Sequence, residues 1–163
     1  MIRRMLAGVI LIVAAKASAA QLPIPSFAVV GGVSNYNLNG SGSAPIGALR
    51  VDVPLIALVA EGSLGVFRPT VNDTARTYVI PEVQLQWQLL PLLVRPYLGV
   101  GAGWFRAVSG PDPHRNDLTL SASAGVRFSI PLLPIGLRAE ARVRGMGSGF
   151  GDHATELTVG ASF

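Results

Sequence analysis

The sequence predicts an all-β protein, an eight-stranded antiparallel up-and-down transmembrane β-barrel with a polar, charge-paired lumen. Three observations carry that expectation. From about residue 27 to Phe163, apolar and polar side chains alternate with period two, the pattern of strands lying between two different environments. Half of the 163 residues are hydrophobic, yet beyond the N-terminus no run of roughly 18 apolar residues could form a spanning helix. A closed barrel is the other structure that satisfies its whole backbone in lipid. The connections also alternate in kind. Pro54-Leu55, Pro91-Leu92 and Pro131-Leu132-Leu133-Pro134 are short, while those near 37–43, 68–76, 107–116 and 148–153 are polar and expected to be longer.

Residues 1–20 read as a cleavable signal peptide, which leaves 21–163 as one barrel domain. Arg3 and Arg4 form a basic start, Met5 to Ala15 an apolar run, and Ala17-Ser18-Ala19-Ala20 a small-residue cleavage region. The apolar run is too short for a retained spanning anchor. Removing Arg3, Arg4 and Lys16 from 13 basic and 9 acidic residues leaves ten arginines against nine acids. The basic character of the precursor is therefore no sign of nucleic-acid binding. The remaining chain contains no lysine and the whole chain no cysteine. This speaks against a Lys/Glu-clothed soluble surface and excludes disulfides, thiolate metal sites and a lipoprotein cysteine.

Eight strands are expected near 26–36, 44–54, 56–67, 77–89, 94–106, 117–130, 136–147 and 154–163. Each is long enough to cross a bilayer when tilted. The seventh alternates best, with Leu137, Ala139, Ala141 and Val143 against Arg138, Glu140, Arg142 and Arg144. The fourth sets Val79, Pro81, Val83, Leu85 and Trp87 against Tyr78, Glu82, Gln84, Gln86 and Gln88. The sixth sets Leu118, Leu120, Ala122, Ala124, Val126 and Phe128 against Thr119, Ser121, Ser123, Gly125 and Arg127. In the second, Leu49, Val51 and Val53 oppose Arg50 and Asp52, and in the last, Thr155 to Phe163 oppose Glu156 to Ser162. The first and third strands are apolar on both faces. Pro81 in mid-strand predicts a bulge.

The aromatic residues sort by height. Phe27, Trp87, Tyr97, Phe128 and Phe163 fall near the proline turns. Tyr36, Phe67, Tyr78, Trp104, Phe105 and Phe150 fall near the polar loops. Two lipid-facing girdles are expected from this.

On Pro96-Tyr97-Leu98-Gly99-Val100-Gly101-Ala102-Gly103-Trp104 and the terminal Leu157–Phe163 strand, the chain resembles the small eight-stranded outer-membrane barrels of the OmpA/OmpX type and related OmpW-like proteins. The resemblance implies export to the outer membrane of a Gram-negative-type envelope and contact with outer-membrane lipids; the sequence does not name an oligomeric state, and a monomer is the leading expectation. It also implies that the barrel-assembly machinery reads Phe163 as its signal. Ala161 stands where a bulkier apolar residue is commoner in such barrels, which implies a weaker signal. No peptidoglycan-binding domain is expected after Phe163.

The main polar constellation is the inward set Arg50, Asp52, Glu61, Glu82, Arg127, Arg138, Glu140, Arg142, Arg144 and Glu156. Five bases and five acids can neutralise one another, and eight strands enclose only enough space for side chains. A plugged lumen and a structural or interaction role follow, with a small ion or solute channel as the alternative. Gly99, Gly101 and Gly103 lie two apart inside a strand, unlike a nucleotide loop, and are expected to leave room for charged chains from the opposite wall. His114, near Ser109, Asp112 and Asp117, and His153, near Ser148 and Asp152, suggest a third reading as an outer-membrane acyl hydrolase or acyltransferase. Neither histidine has metal-ligand spacing, and no cofactor, metal or nucleic-acid partner is expected. A soluble lipocalin- or avidin-like barrel would invert the two faces; the missing lysine and the Gly/Ser/Thr-rich polar faces oppose it.

Overall fold

The computed structural model describes residues 24–38, 40–71, 73–89, 93–109, 116–130, 133–147 and 150–163; the segment expected to be a signal peptide lies outside them. The alternating pattern resolves into β1 (Ser26–Asn37), β2 (Ser41–Pro54), β3 (Leu58–Phe67), a small hairpin of β4 (Thr70–Val71) and β5 (Thr74–Ala75), β6 (Thr77–Gln88), β7 (Val94–Ser109), β8 (Asn116–Ser129), β9 (Gly136–Met146) and β10 (Asp152–Ser162). All but the small hairpin form one closed eight-stranded barrel in the order β1-β10-β9-β8-β7-β6-β3-β2.

Every barrel strand pairs antiparallel with its chain neighbours, and β1 meets β10 from Ala28↔Ser162 to Asn37↔His153. Phe27 and Phe163 then exchange two backbone N–H···O bonds of 2.9 Å, which carry the seam past the ladder. A closed sheet has no free edge and leaves no row of backbone groups unpaired in lipid. Phe27, Leu49, Leu64, Val83, Val100, Leu118, Val143, Leu157 and Val159 are exposed on the outer wall. That wall is apolar because the polar members of each alternation are turned inward.

Two expectations are corrected. The polar connections are not systematically longer. Those at 38–40 and 147–151 are as short as the proline turns, because β1, β2 and β10 run further than their hydrophobic pattern. Asn37 still pairs with Ser41. The two ends, a proline-turn end and a polar-loop end, therefore differ in composition rather than systematically in loop length. Pro81 makes no bulge either. The β6–β7 register is the same on both sides of it, and the shift falls at Thr77/Tyr78. Proline lacks only its own N–H, so two ladder positions lapse while the strand stays in step.

Candidate functional site

The lumen is the candidate site, and β9 organises it. This strand rises from the proline-turn end and projects Arg138, Glu140, Arg142, Arg144 and Met146 inward at every second position, all buried. The acids that answer them come from other walls: Asp52 from β2, Glu61 from β3, Glu82 from β6 and Glu156 from β10.

Glu61 is the hub. Fully buried on β3, it lies 2.6 Å from Arg138, 3.0 Å from Arg142 and 3.4 Å from Arg50, and accepts a 2.9 Å bond from Gln86 Nε2. Glu140 lies 2.9 Å from Arg142 and 3.0 Å from Arg50, and accepts a 2.6 Å bond from the Tyr97 hydroxyl. Higher up, Glu82 meets Arg142 at 2.7 Å, Arg144 and the Ser121 hydroxyl, while Arg144 also holds Glu156 at 2.9 Å. At the lower end, Asp52 is 3.2 Å from Arg127 and 3.4 Å from Arg138. All ten predicted lumen charges thus lie in one continuous chain of ion pairs. Arginine suits this, since one guanidinium can hold several carboxylates in a fixed plane.

The glycines make room, but for adjacent strands rather than for the opposite wall. A Cβ on Gly101 would lie 2.7 Å from Glu82 Oε1 and 2.8 Å from Ser121 Oγ. One on Gly125 would lie 2.5 Å from the ring of Tyr97, its cross-strand partner. Tyr97 lies flat against the wall there, with Arg127 5.1 Å from its centroid.

Above the charges the lumen changes character. Tyr36, Leu38, Ile46, Phe67, Tyr78, Ile80, Phe105 and Met146 belong to one buried apolar cluster at the polar-loop end. Tyr78 and Phe105 stack at 4.3 Å, Phe67 sits 5.5 Å edge-on from Tyr36, and the Tyr36 hydroxyl donates to the Thr70 carbonyl at 2.7 Å. This corrects the girdle assignment. Tyr36, Phe67, Tyr78, Tyr97 and Phe105 face the lumen, not lipid. Phe27, Trp87, Trp104, Phe150 and Phe163 are exposed on the outer surface, and Phe128 is half-buried. Height along a strand does not set which face an aromatic ring occupies; parity does. Tyr78 shares parity with Glu82, Phe67 with Glu61, and Phe105 with Gly103.

Between the two layers, beside Arg50, Arg142, Arg144 and Glu156, a gap of about 10 Å³ remains, room for roughly one water. A larger recess of about 140 Å³ opens at the proline-turn end beside Asp52, Arg95 and Arg127.

His153 lies on β10, exposed and facing outward, 3.4 Å from the Gly151 carbonyl. Asp152, its strand neighbour, points to the opposite face. His114, Asp112 and Ser148 lie outside the described residues, as does any triad built on them. Among the described residues no group of three His, Cys, Asp or Glu side chains could hold a metal ion.

This architecture is that of the small outer-membrane barrels. No protein-family model matches the chain, and no curated protein matches its sequence. Solved structures do match. Neisserial surface protein A (NspA) superposes with a TM-score of 0.70 at 16% identity, covering 85% of this chain and 94% of that one. Ail, the attachment invasion locus protein of Yersinia pestis, gives 0.57 at 16% identity over 88% and 100%. The N-terminal β-barrel domain of Pseudomonas aeruginosa OprF gives 0.54 at 16% identity over 85% and 97%. At these identities the likeness establishes the fold alone, a closed, eight-stranded antiparallel barrel; the charged lumen is read from this chain's own ion pairs.

Proposed function

We propose that the chain is an outer-membrane barrel protein of the structural or interaction type, with a lumen closed to ions. The observation that carries this reading is the double seal: five arginines and five carboxylates in mutual contact, capped by stacked aromatic rings. A conducting lumen of this width would need a file of hydrated space, and among the described residues the space between the charged and apolar layers is a single-water gap. Outer-membrane placement is supported by the apolar outer wall, the exterior Trp87 and Trp104, and the fold neighbours. Passage through the barrel-assembly machinery, with Phe163 as its signal, belongs to the same proposal.

The test is single-channel recording from protein refolded into planar bilayers, using material whose gel mobility shifts on boiling. Silence from folded protein is expected. Reproducible current steps that change in Glu140→Gln would move the reading to a small channel. Acyl changes in membrane lipid that depend on His114 or His153 would move it to a lipid-modifying enzyme.

A further inference from the structure

The recess at the proline-turn end has a charge excess that the closed lumen does not require. Arg95 on β7, Arg127 on β8 and Arg138 on β9 are consecutive in-register neighbours. Like charges directly opposite one another destabilise a sheet, so three arginines abreast need anions. Asp52 answers Arg127 and Arg138, and Glu61 answers Arg138. Arg95 has no carboxylate among the described residues; its side chain donates only to the Ser129 hydroxyl, at 2.5 Å. Nor can the neighbouring turns supply one, since segments 21–25, 53–60, 88–96 and 128–137 contain no acidic residue.

The surplus cation faces space. The recess, about 140 Å³, is lined by Ser26, Asp52, Gln88, Arg95, Arg127 and Ser162 among others, and far exceeds the ~10–15 Å³ that one water requires. Its arginines are held in place beforehand: Arg127 by Asp52, by the Gln86 amide oxygen and by the Tyr97 ring, and Arg95 by Ser129. The Nε groups of both arginines are buried without a protein acceptor. Two planar guanidinium forks on adjacent strands, with serine hydroxyls at the rim, match the geometry of a tetrahedral oxyanion. The Asp52 carboxylate shares the recess, but it is paired with Arg127 and Arg138, which leaves Arg95 the one arginine of the three without a carboxylate partner among the described residues.

We propose that this recess binds a phosphate-type oxyanion between Arg95 and Arg127, supplied either as free phosphate or as the phosphodiester of a lipid headgroup at that membrane face. The experiment is calorimetric titration of the folded protein in maltoside micelles, at constant chloride. Inorganic phosphate is used in one arm and dihexanoyl phosphatidylglycerol in the other. Saturable binding in at least one arm is expected, weakened about tenfold or more in Arg95→Gln. Arg95→Lys should be intermediate, because it keeps the charge and loses the fork. Folding is checked by the gel shift, which Arg95→Gln should leave intact, since only the Ser129 contact is lost. Arg95→Lys carries the comparison if Arg95→Gln does not fold. Binding to phosphate alone identifies a free-anion site, and binding to the lipid alone identifies a headgroup site. No saturable binding in either arm, or equal binding by wild type and the Arg95 variants, overturns the proposal.

Discussion

The lower and upper halves of the lumen occupy the same barrel and do the same work by opposite chemistry. Below, charged side chains fill the space and satisfy one another; above, a buried cluster of aromatic and aliphatic side chains fills it. The lower half depends on completeness, because four of its five carboxylates serve two or more arginines, and removing one strands the rest in a poorly solvated interior. The upper half depends on volume, because a missing ring costs dispersion contacts and leaves a cavity. The contrast teaches that closing a small barrel sets a demand for packing but not for polarity.

The sharpest way to break this comparison is at the hub. Glu61→Ala leaves Arg138, Arg142 and Arg50 short of a partner and is expected to cost about 3–5 kcal/mol, read as a lower urea midpoint for the mobility shift. A cost below about 1 kcal/mol would mean that water or rearranged neighbours replace the carboxylate, and the lower half would not be a cooperative unit. Phe67→Ala in the cap should cost about 3 kcal/mol through its cavity, yet give no single-channel current, because the charged layer beneath still seals. Current from that variant would make the cap the only barrier. Gly101→Val intrudes on Glu82 and Ser121 and should cost about 1–3 kcal/mol by overpacking; an unchanged urea midpoint would show that Glu82 has room to retreat. The smallest effect belongs to the outer wall, where Trp104→Leu should change stability by about 0.5 kcal/mol or less. Trp87 and Trp104, the two tryptophans of the chain, should both be quenched by brominated lipids. Protection of either would contradict the lipid-facing assignment.

Much of this was legible before any coordinates. In β9, Arg138, Glu140, Arg142 and Arg144 alternate with Leu137, Ala139, Ala141 and Val143, so a single parity rule assigns the inner face. The same rule, applied without exception, would also have placed Tyr36, Phe67, Tyr78, Tyr97 and Phe105 inside. Assigning them by height alone missed the cap. The Pro81 bulge failed for a related reason: a local residue preference was weighed above the register imposed by the two flanking ladders.

The sequence by itself determined which residues face inward, that five positive charges would meet five negative ones, and that the ends would differ in composition. Those properties follow from period-two geometry and solvent preference, both local to a strand. Only the tertiary structure decided which acid meets which arginine, that Glu61 would be the hub, that the glycines serve their neighbours, and that Arg95 would have no carboxylate partner among the described residues. Partners such as Arg138 and Glu61, 77 residues apart in the chain, meet because eight strands close at a particular register. That register is a property of the whole sheet, and no single strand encodes it.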